Sequence, residues 1–471
     1  MNRNEKIDPA IGDTCRVPLL ALFGGAALWL VVGLAIELAA SLTFHNPSMF
    51  ADHSWLAYGR LQAAANDAVL YGFCIPAALG VILWVFARLS ESELVLPLVP
   101  VLAANIWHLG VLVGLVAIFI GDTTGFQWLE FPRGASVLLF SAYMLIAISA
   151  MATFGARRER KLQPAHWFLL AALVWFPWIY TTANIFLVAW PVRGVAQAVI
   201  DWWFTNNLIF VWFALVGLGL AFYFLPKFAG RPLHNPDLAL FGFVTFILFS
   251  TWCGIPQGAP VPAWLPAAST FASVLMLIPI FSLLTVFART VTGPSLTGTK
   301  PQCKGGPFCY IKFGTTAFIL ATLMLLPLGC PHFGSWAGIT WYVQAQSSLQ
   351  ILGFFTIVIC GAIYELMPSV MGMEWPFPKF VRFQHWAFMA GAVLLVLMLA
   401  IGGLAQGMND YNFQSALPFL RFSTLGLFLL LLGSLMFAAN IFVMTIKWNL
   451  ALAKGFIAIV RPPVKLQEVK S

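Results

Sequence analysis

Runs of apolar residues, each as long as a bilayer core is thick, follow one another through almost the whole chain with only short polar interruptions. They fall at about 17–43, 63–87, 95–121, 134–155, 166–191, 203–226, 237–254, 263–288, 312–331, 337–367, 383–406 and 420–447. A helix of roughly 20 such residues crosses the hydrocarbon region, and inside lipid only a helix or a closed barrel pairs all its backbone groups. Twelve runs therefore predict an all-α, polytopic membrane protein of about twelve transmembrane helices. Composition agrees: 61% of residues are hydrophobic and only 9% charged, against about 25% charged in a soluble domain. A soluble enzyme is excluded.

Charge sets the predicted orientation. Of the 25 lysines and arginines, only Arg60, Arg133, Arg193 and Arg421 fall in segments assigned to the outer side when the N-terminus is inside. The rest, among them Arg3, Lys6, Arg160, Lys161, Lys300, Lys454, Arg461, Lys465 and Lys470, collect in segments assigned to the cytoplasm, as the positive-inside rule requires. The domains read as a cytoplasmic N-terminal segment (1–16), a membrane domain (17–447) with a cytoplasmic linker at about 289–312, and a cytoplasmic tail (448–471). The expected location is a bacterial inner membrane. The net charge of +8 is spread over membrane-flanking loops, so it predicts contact with membrane lipids and none with nucleic acid. The first span is too long for a signal-peptide core, and no cleavage is expected.

Ionisable groups inside a bilayer are costly unless they pair or face a cavity. Glu37, Asp67, Asp201 and Glu365 are the candidates. Asp67 lies two turns from Arg60, which predicts pairing; Glu365, near the inner end of a span and just before Met367-Pro368, is the best candidate for a polar pathway. Of His45, His53, His108, His166, His234, His332 and His385, only His108 and His385 read as helical, and neither has a second histidine at a spacing that would aim two rings at one ion. Cys303 and Cys309 in the Gly- and Pro-rich linker read as free surface thiols rather than a metal site. Cys15, Cys74, Cys253, Cys330 and Cys360, in or beside spans, read as small apolar residues.

Four local patterns then carry a resemblance. The second span opens Tyr58-Gly59-Arg60-Leu61. The sixth begins Asp201-Trp202-Trp203 and ends in FYFLPKFAGRPLHNP. The seventh-to-eighth turn runs from Trp252 to Trp264 through Pro256-Gln257, and the tenth span runs from Gln346-Ser347-Ser348 to Gly361-Ala362-Ile363-Tyr364. In this order they resemble subunit I of the haem-copper oxidase superfamily, especially cbb3-type cytochrome c oxidase. The resemblance covers roughly 55–445. It implies the oxidase subunit-I bundle, with helices packed as three four-helix arcs, and cytochrome-c-bearing subunits as partners.

The resemblance also implies where ligands should be. The family's low-spin haem histidine in the second helix aligns with Ala65, and the two histidines of its tenth helix align with Gln346 and Ser348. Its copper-ligating histidine in the sixth helix aligns with Asn206, and its adjacent copper-ligating pair with Pro256 and Gln257. None of these side chains suits a haem iron. No haem or copper is therefore expected, and the function implied is a non-catalytic scaffold or partner subunit of a respiratory membrane complex, with a small polar cluster of Asn206, Gln346 and Ser348, edged by Gln257, at the old centre. A working terminal oxidase or nitric oxide reductase with haem b on unconventional ligands such as His108 and His385, and a membrane transporter or proton pathway, are the alternatives.

Overall fold

A computed structural model describes residues 9–158, 162–293 and 303–460, with side chains described as far as Ala453. Arg3, Lys6, Arg160, Lys161, Lys300, Arg461, Lys465 and Lys470, with the start of the N-terminal segment, the middle of the linker and the end of the tail, lie outside the described residues, as does the side chain of Lys454.

The regular elements among the described residues are all helical, without a strand. Eleven helices are long and apolar enough to cross a membrane: span 1 (Pro9–Leu42), span 2 (Tyr58–Ser90), span 3 (Leu98–Ile120), span 4 (Arg133–Gly155), span 5 (Pro164–Ala189), span 6 (Val195–Ala229), span 8 (Trp264–Thr292), span 9 (Pro307–Gly329), span 10 (Trp341–Met371), span 11 (Pro378–Met408) and span 12 (Phe413–Ala453). Span 7 (Pro236–Ser250) has 15 residues. At 1.5 Å per residue it reaches only about 22 Å, short of a full crossing.

Helix ends follow the local chemistry. Proline sits in the first turn of spans 5, 7, 9 and 11, where its missing N–H costs nothing. The Asn235 side chain accepts from the Leu238 amide to start span 7. Gly230 and Gly372 close spans 6 and 10 in the left-handed conformation that glycine adopts freely.

Several predicted ends move. Span 1 begins at Pro9 rather than near 17, because Asp13 and Arg16 form an i,i+3 ion pair at 2.9 Å that lets this polar stretch continue as helix. The last helix runs past 447 to Val460. The linker contracts, since span 8 continues to Thr292 and span 9 starts at Pro307. Span 10 starts at Trp341 rather than 337: residues Pro331–Ala337 make a separate short helix, and Thr340 caps the new one by accepting from the Tyr342 amide at 3.3 Å.

Spans 2, 6 and 10 form the centre. Over their most apolar stretches they are 100%, 100% and 94% buried, whereas every other full-length span is buried over about half of its own. The outer helices cover the centre, with neighbours in the chain packing pairwise and span 12 returning against span 1. On span 3, Leu98, Leu102, Leu109, Leu112, Val116 and Ile120 stay exposed at helical spacing, a stripe suited to lipid.

The centre is packed with rings set into glycine notches. A Cβ on Gly217 would lie 2.3 Å from the Phe354 ring, and one on Gly72 would lie 2.5 Å from Trp29. Close helix approach through small residues is the usual device where lipid supplies no hydrophobic drive. Gly217→Ala should therefore lower stability by about 1–3 kcal/mol, read as a lower melting temperature in detergent. Phe354→Leu in the same chain should recover part of the loss; if the two losses simply add, this notch is not what Gly217 is for.

Candidate functional site

The positions singled out by resemblance lie on the three central spans and the loop after span 7. Each central span carries a stretch of wider π-type turn at the same level: Ala68–Cys74 in span 2, Asn206–Trp212 in span 6 and Leu349–Thr356 in span 10. Ala65 lies one turn before the first stretch, Asn206 opens the second, and Ser348 immediately precedes the third. Wide turns interrupt the regular ladder and gather at sites where a helix must aim a side chain. They were not legible from the residues, because π turns have no composition of their own.

Asn206 is 7% exposed and donates from Nδ2 to the Ser250 carbonyl at 2.8 Å. Its side chain presses on Gly254, where a Cβ would sit 2.7 Å away and where φ is +93°. The loop after span 7 can pass this close only because residue 254 is glycine. Gln257 donates from Nε2 to Thr270 Oγ1 at 2.7 Å and to the Pro266 carbonyl at 3.2 Å. Pro256 is half-buried in the same loop. Gln346 donates to the Ala321 carbonyl at 3.5 Å.

The expected polar cluster is therefore not formed. Asn206, Gln257 and Gln346 are each bonded to a nearby helix or loop, and no hydrogen bond joins Asn206, Gln346 and Ser348 among the described residues. A backbone carbonyl of an adjoining segment is within reach of each amide, so each is satisfied locally without crossing the centre.

Aromatic rings pack spans 6, 9 and 10 against one another at this level. Phe213 and Phe355 stack at 4.0 Å, Trp212 lies 5.8 Å from Phe355, and Phe318 contacts both Phe210 and Phe354. Ala65 is fully buried. Ser348 borders a cavity of about 20 Å³ shared with Glu37, Asn66 and Gln344, a space of roughly one water.

The acidic candidates separate. Glu365 pairs with Lys227 of span 6 at 3.1 Å, both partly exposed near the C-terminal ends of their helices. Asp67 does not pair with Arg60, whose guanidinium instead donates to the Phe119 carbonyl at 2.9 Å. Arg60 points toward the C-terminal end of span 3 while Asp67, two turns along span 2, is fully buried with neither carboxylate oxygen hydrogen-bonded. Asp67 lies beside Glu130, an acid in the loop between spans 3 and 4 that the apolar runs did not bring into view, and Asp201 is close enough to act on Glu130.

Histidines lie elsewhere. His108 packs on span 1, where a Cβ at Gly25 would sit 2.2 Å from its ring. His45 bonds Thr424 at 3.0 Å. His166 and His332 are helical too, at helix starts, and His166 completes a capping box with Gln163. Cys303 and Cys309 are not free surface thiols: they are joined as a disulfide, with Cys309 buried. Gly305, at φ +76, turns the loop so that Cys303 meets the first turn of span 9.

Sequence comparison now adds to this geometry. The model of the family "Cytochrome C and Quinol oxidase polypeptide I" matches residues 17–425. The chain belongs to this family. It is similar to the cbb3-type cytochrome c oxidase subunit CcoN1 of Stutzerimonas stutzeri, at 23% identity over 88% of this chain and 90% of that one. It is also similar to a cytochrome c oxidase subunit 1 homologue of Azorhizobium caulinodans, at 23% identity over 88% and 80%. A haem-copper terminal oxidase solved by cryo-electron microscopy superposes with a TM-score of 0.72, at 14% identity, over 92% of this chain and 84% of that one. The oxidase subunit-I fold expected from the four patterns is thus the fold of this chain.

Whether the residues fit the family's cofactors is a question of donor chemistry. A haem axis takes an imidazole, thiolate, thioether or phenolate; Ala65 has no donor, and Ser348 and Gln346 offer only neutral oxygen or amide groups. Asn206, Pro256 and Gln257 present no imidazole for copper. These residues do not fit the haems or the copper.

Glu130 gives this region a pH signature. Burial first, then the nearby Asp201 charge, push its carboxyl from the usual 4.5 up to about 7. The folded chain then holds a proton that the unfolded chain releases above pH 4.5. Stability should fall as pH rises from about 4.5 to 7 and level off above, by on the order of 3 kcal/mol. Thermal melts across that window should show the slope, and Glu130→Gln should flatten it; an unchanged slope would assign it to another group.

Proposed function

We propose that this chain is an oxidase subunit I that has given up its redox centres and serves as a scaffold or partner subunit in a respiratory complex. One observation carries the reading: Ala65, Gln346, Ser348, Asn206, Pro256 and Gln257 stand where the family resemblance places histidine ligands, while the rings of Trp212, Phe213, Phe354 and Phe355 pack spans 6 and 10 together. Emptying such an interior would cost roughly 24 cal/mol per cubic ångström, so loss of a large cofactor requires side chains to take its volume. The large apolar rings here supply it.

Retention of the helix-end motifs supports a role in assembly, since lipid-facing surfaces and inter-helix packing survive selection for a partner even without chemistry. Cytochrome-c-bearing membrane subunits are the proposed partners. The proposed setting is a bacterial inner membrane with both termini cytoplasmic, an orientation resting on the distribution of lysine and arginine. Glu365, held by Lys227, supports a structural ion pair better than a transport pathway.

A reduced-minus-oxidised spectrum of the purified chain should lack a haem b signal, and metal analysis should find no copper at the central site. Stoichiometric haem b would overturn the cofactor-free reading. On native gels of solubilised membranes the chain should migrate with a cytochrome-c-bearing subunit; migration alone in every detergent would remove the scaffold role.

A further inference from the structure

The loop that enters span 9 brings together two sulfurs and an imidazole that no part of the oxidase reading uses. Cys303, Cys309 and His385 place one donor atom each within 4.8 Å of one another. They come from the linker, the first turn of span 9 and the second turn of span 11. The arrangement is built by several contacts. Gly305, in the left-handed region, lies against Arg382, where a Cβ would meet that side chain at 3.2 Å, so the loop rests directly on span 11. Tyr310 donates to the Val381 carbonyl at 2.7 Å and its ring lies 4.8 Å from His385, which fixes the start of span 9 against span 11.

We propose that, in its reduced form, this cluster is a binding site for a thiophilic d10 ion, Cu(I) or Zn(II). Thiolate and imidazole are the donors that select such ions over magnesium or calcium. The surroundings favour charged sulfur. Cys309 sits at the third position of span 9, where unpaired amides point at the chain start and lower the cost of a thiolate, and the Gly305 amide donates to its sulfur at 3.2 Å. His385 is 3% exposed, and its buried Nδ1 has no hydrogen-bond partner; a metal ligand is one use for an imidazole that packing alone leaves unsatisfied. Cys303 is exposed, so an ion can enter from solvent and its coordination shell has an open side.

The chemistry balances simply. The Cys303–Cys309 bond accepts two electrons and two protons from a dithiol, which becomes a disulfide, and two thiols result. The ion then takes both thiolates and the imidazole, releasing two protons. That this loop meets a reducing compartment rests on the orientation proposed above. Labelling of Cys303 by a membrane-impermeant maleimide in a Cys309→Ser, Cys330→Ser variant, which leaves Cys303 the exposed free thiol among the described residues, compared between intact cells and inverted vesicles, reads that orientation separately.

The test uses the full chain in detergent, reduced with dithiothreitol, freed of reductant under anaerobic conditions and offered Cu(I) or Zn(II) in separate arms. After gel filtration, metal analysis should find one equivalent of at least one ion on the wild type and none on the Cys303→Ser, Cys309→Ser double variant. Co(II) in place of zinc should give a thiolate charge-transfer band that the double variant lacks. Because His385 packs in a span, His385→Asn is judged on protein that keeps its gel-filtration profile, and it should weaken retention by at least about tenfold; if it does not fold, the Cys303→Ser single variant, at an exposed position, must show the loss. Equal retention by wild type and double variant, or no retention of either ion by the reduced wild type, overturns the site and leaves the pair a disulfide only.

Discussion

A backbone in hydrocarbon has no water to pair with, and a bundle of twelve helices has a middle that sees neither lipid nor water. The second condition shapes this protein most. Spans 2, 6 and 10 are buried on all sides, so most of their residues are apolar or bonded, Asp67 and Gln350 being exceptions, and the volume between them is filled by side chains. Stacked phenylalanines and tryptophans meet that demand, and glycines opposite them provide the clearance.

The same condition explains how the polar residues of the centre behave. Asn206 and Gln346 each bond a backbone carbonyl of a neighbouring segment, which satisfies one amide hydrogen without a partner side chain. A shared cluster would have required a common cavity, and the cavity of about 20 Å³ beside Ser348 is lined by neither Asn206 nor Gln346. In the proposed reading, the residues that the family resemblance aligns with redox ligands serve as packing and bonding elements of the membrane interior. Membership of the oxidase family and a centre of this kind are compatible because the fold is held by helix packing, while the chemistry of such a fold resides in a few side chains that packing does not need.

At the rim the constraints relax, and polar chemistry collects there. Glu365 and Lys227 pair where both can reach solvent, Glu130 brings a carboxyl down from a loop onto Asp67, and the turn at Gly305 seats two sulfurs on span 11 beside His385. None of these groupings is local in the chain. Each joins residues from different spans, so it exists only because the bundle brings those spans together.

Hydrophobic run length and four short patterns by themselves determined the all-helical architecture of about twelve spans and the family, because bilayer thickness acts on residue types directly. Helix ends were read less well: Asp13–Arg16 pairing extended span 1, and the Thr340 cap delayed span 10, since short-range bonds outweigh average hydropathy at a boundary. Only the tertiary structure decided that Asp67 faces Glu130 rather than Arg60, that Asn206 and Gln346 stay apart, and that Cys303 and Cys309 meet each other and His385. Those outcomes depend on the rotation and depth of one helix against another, which side-chain volumes across the whole interface set together and no single segment encodes.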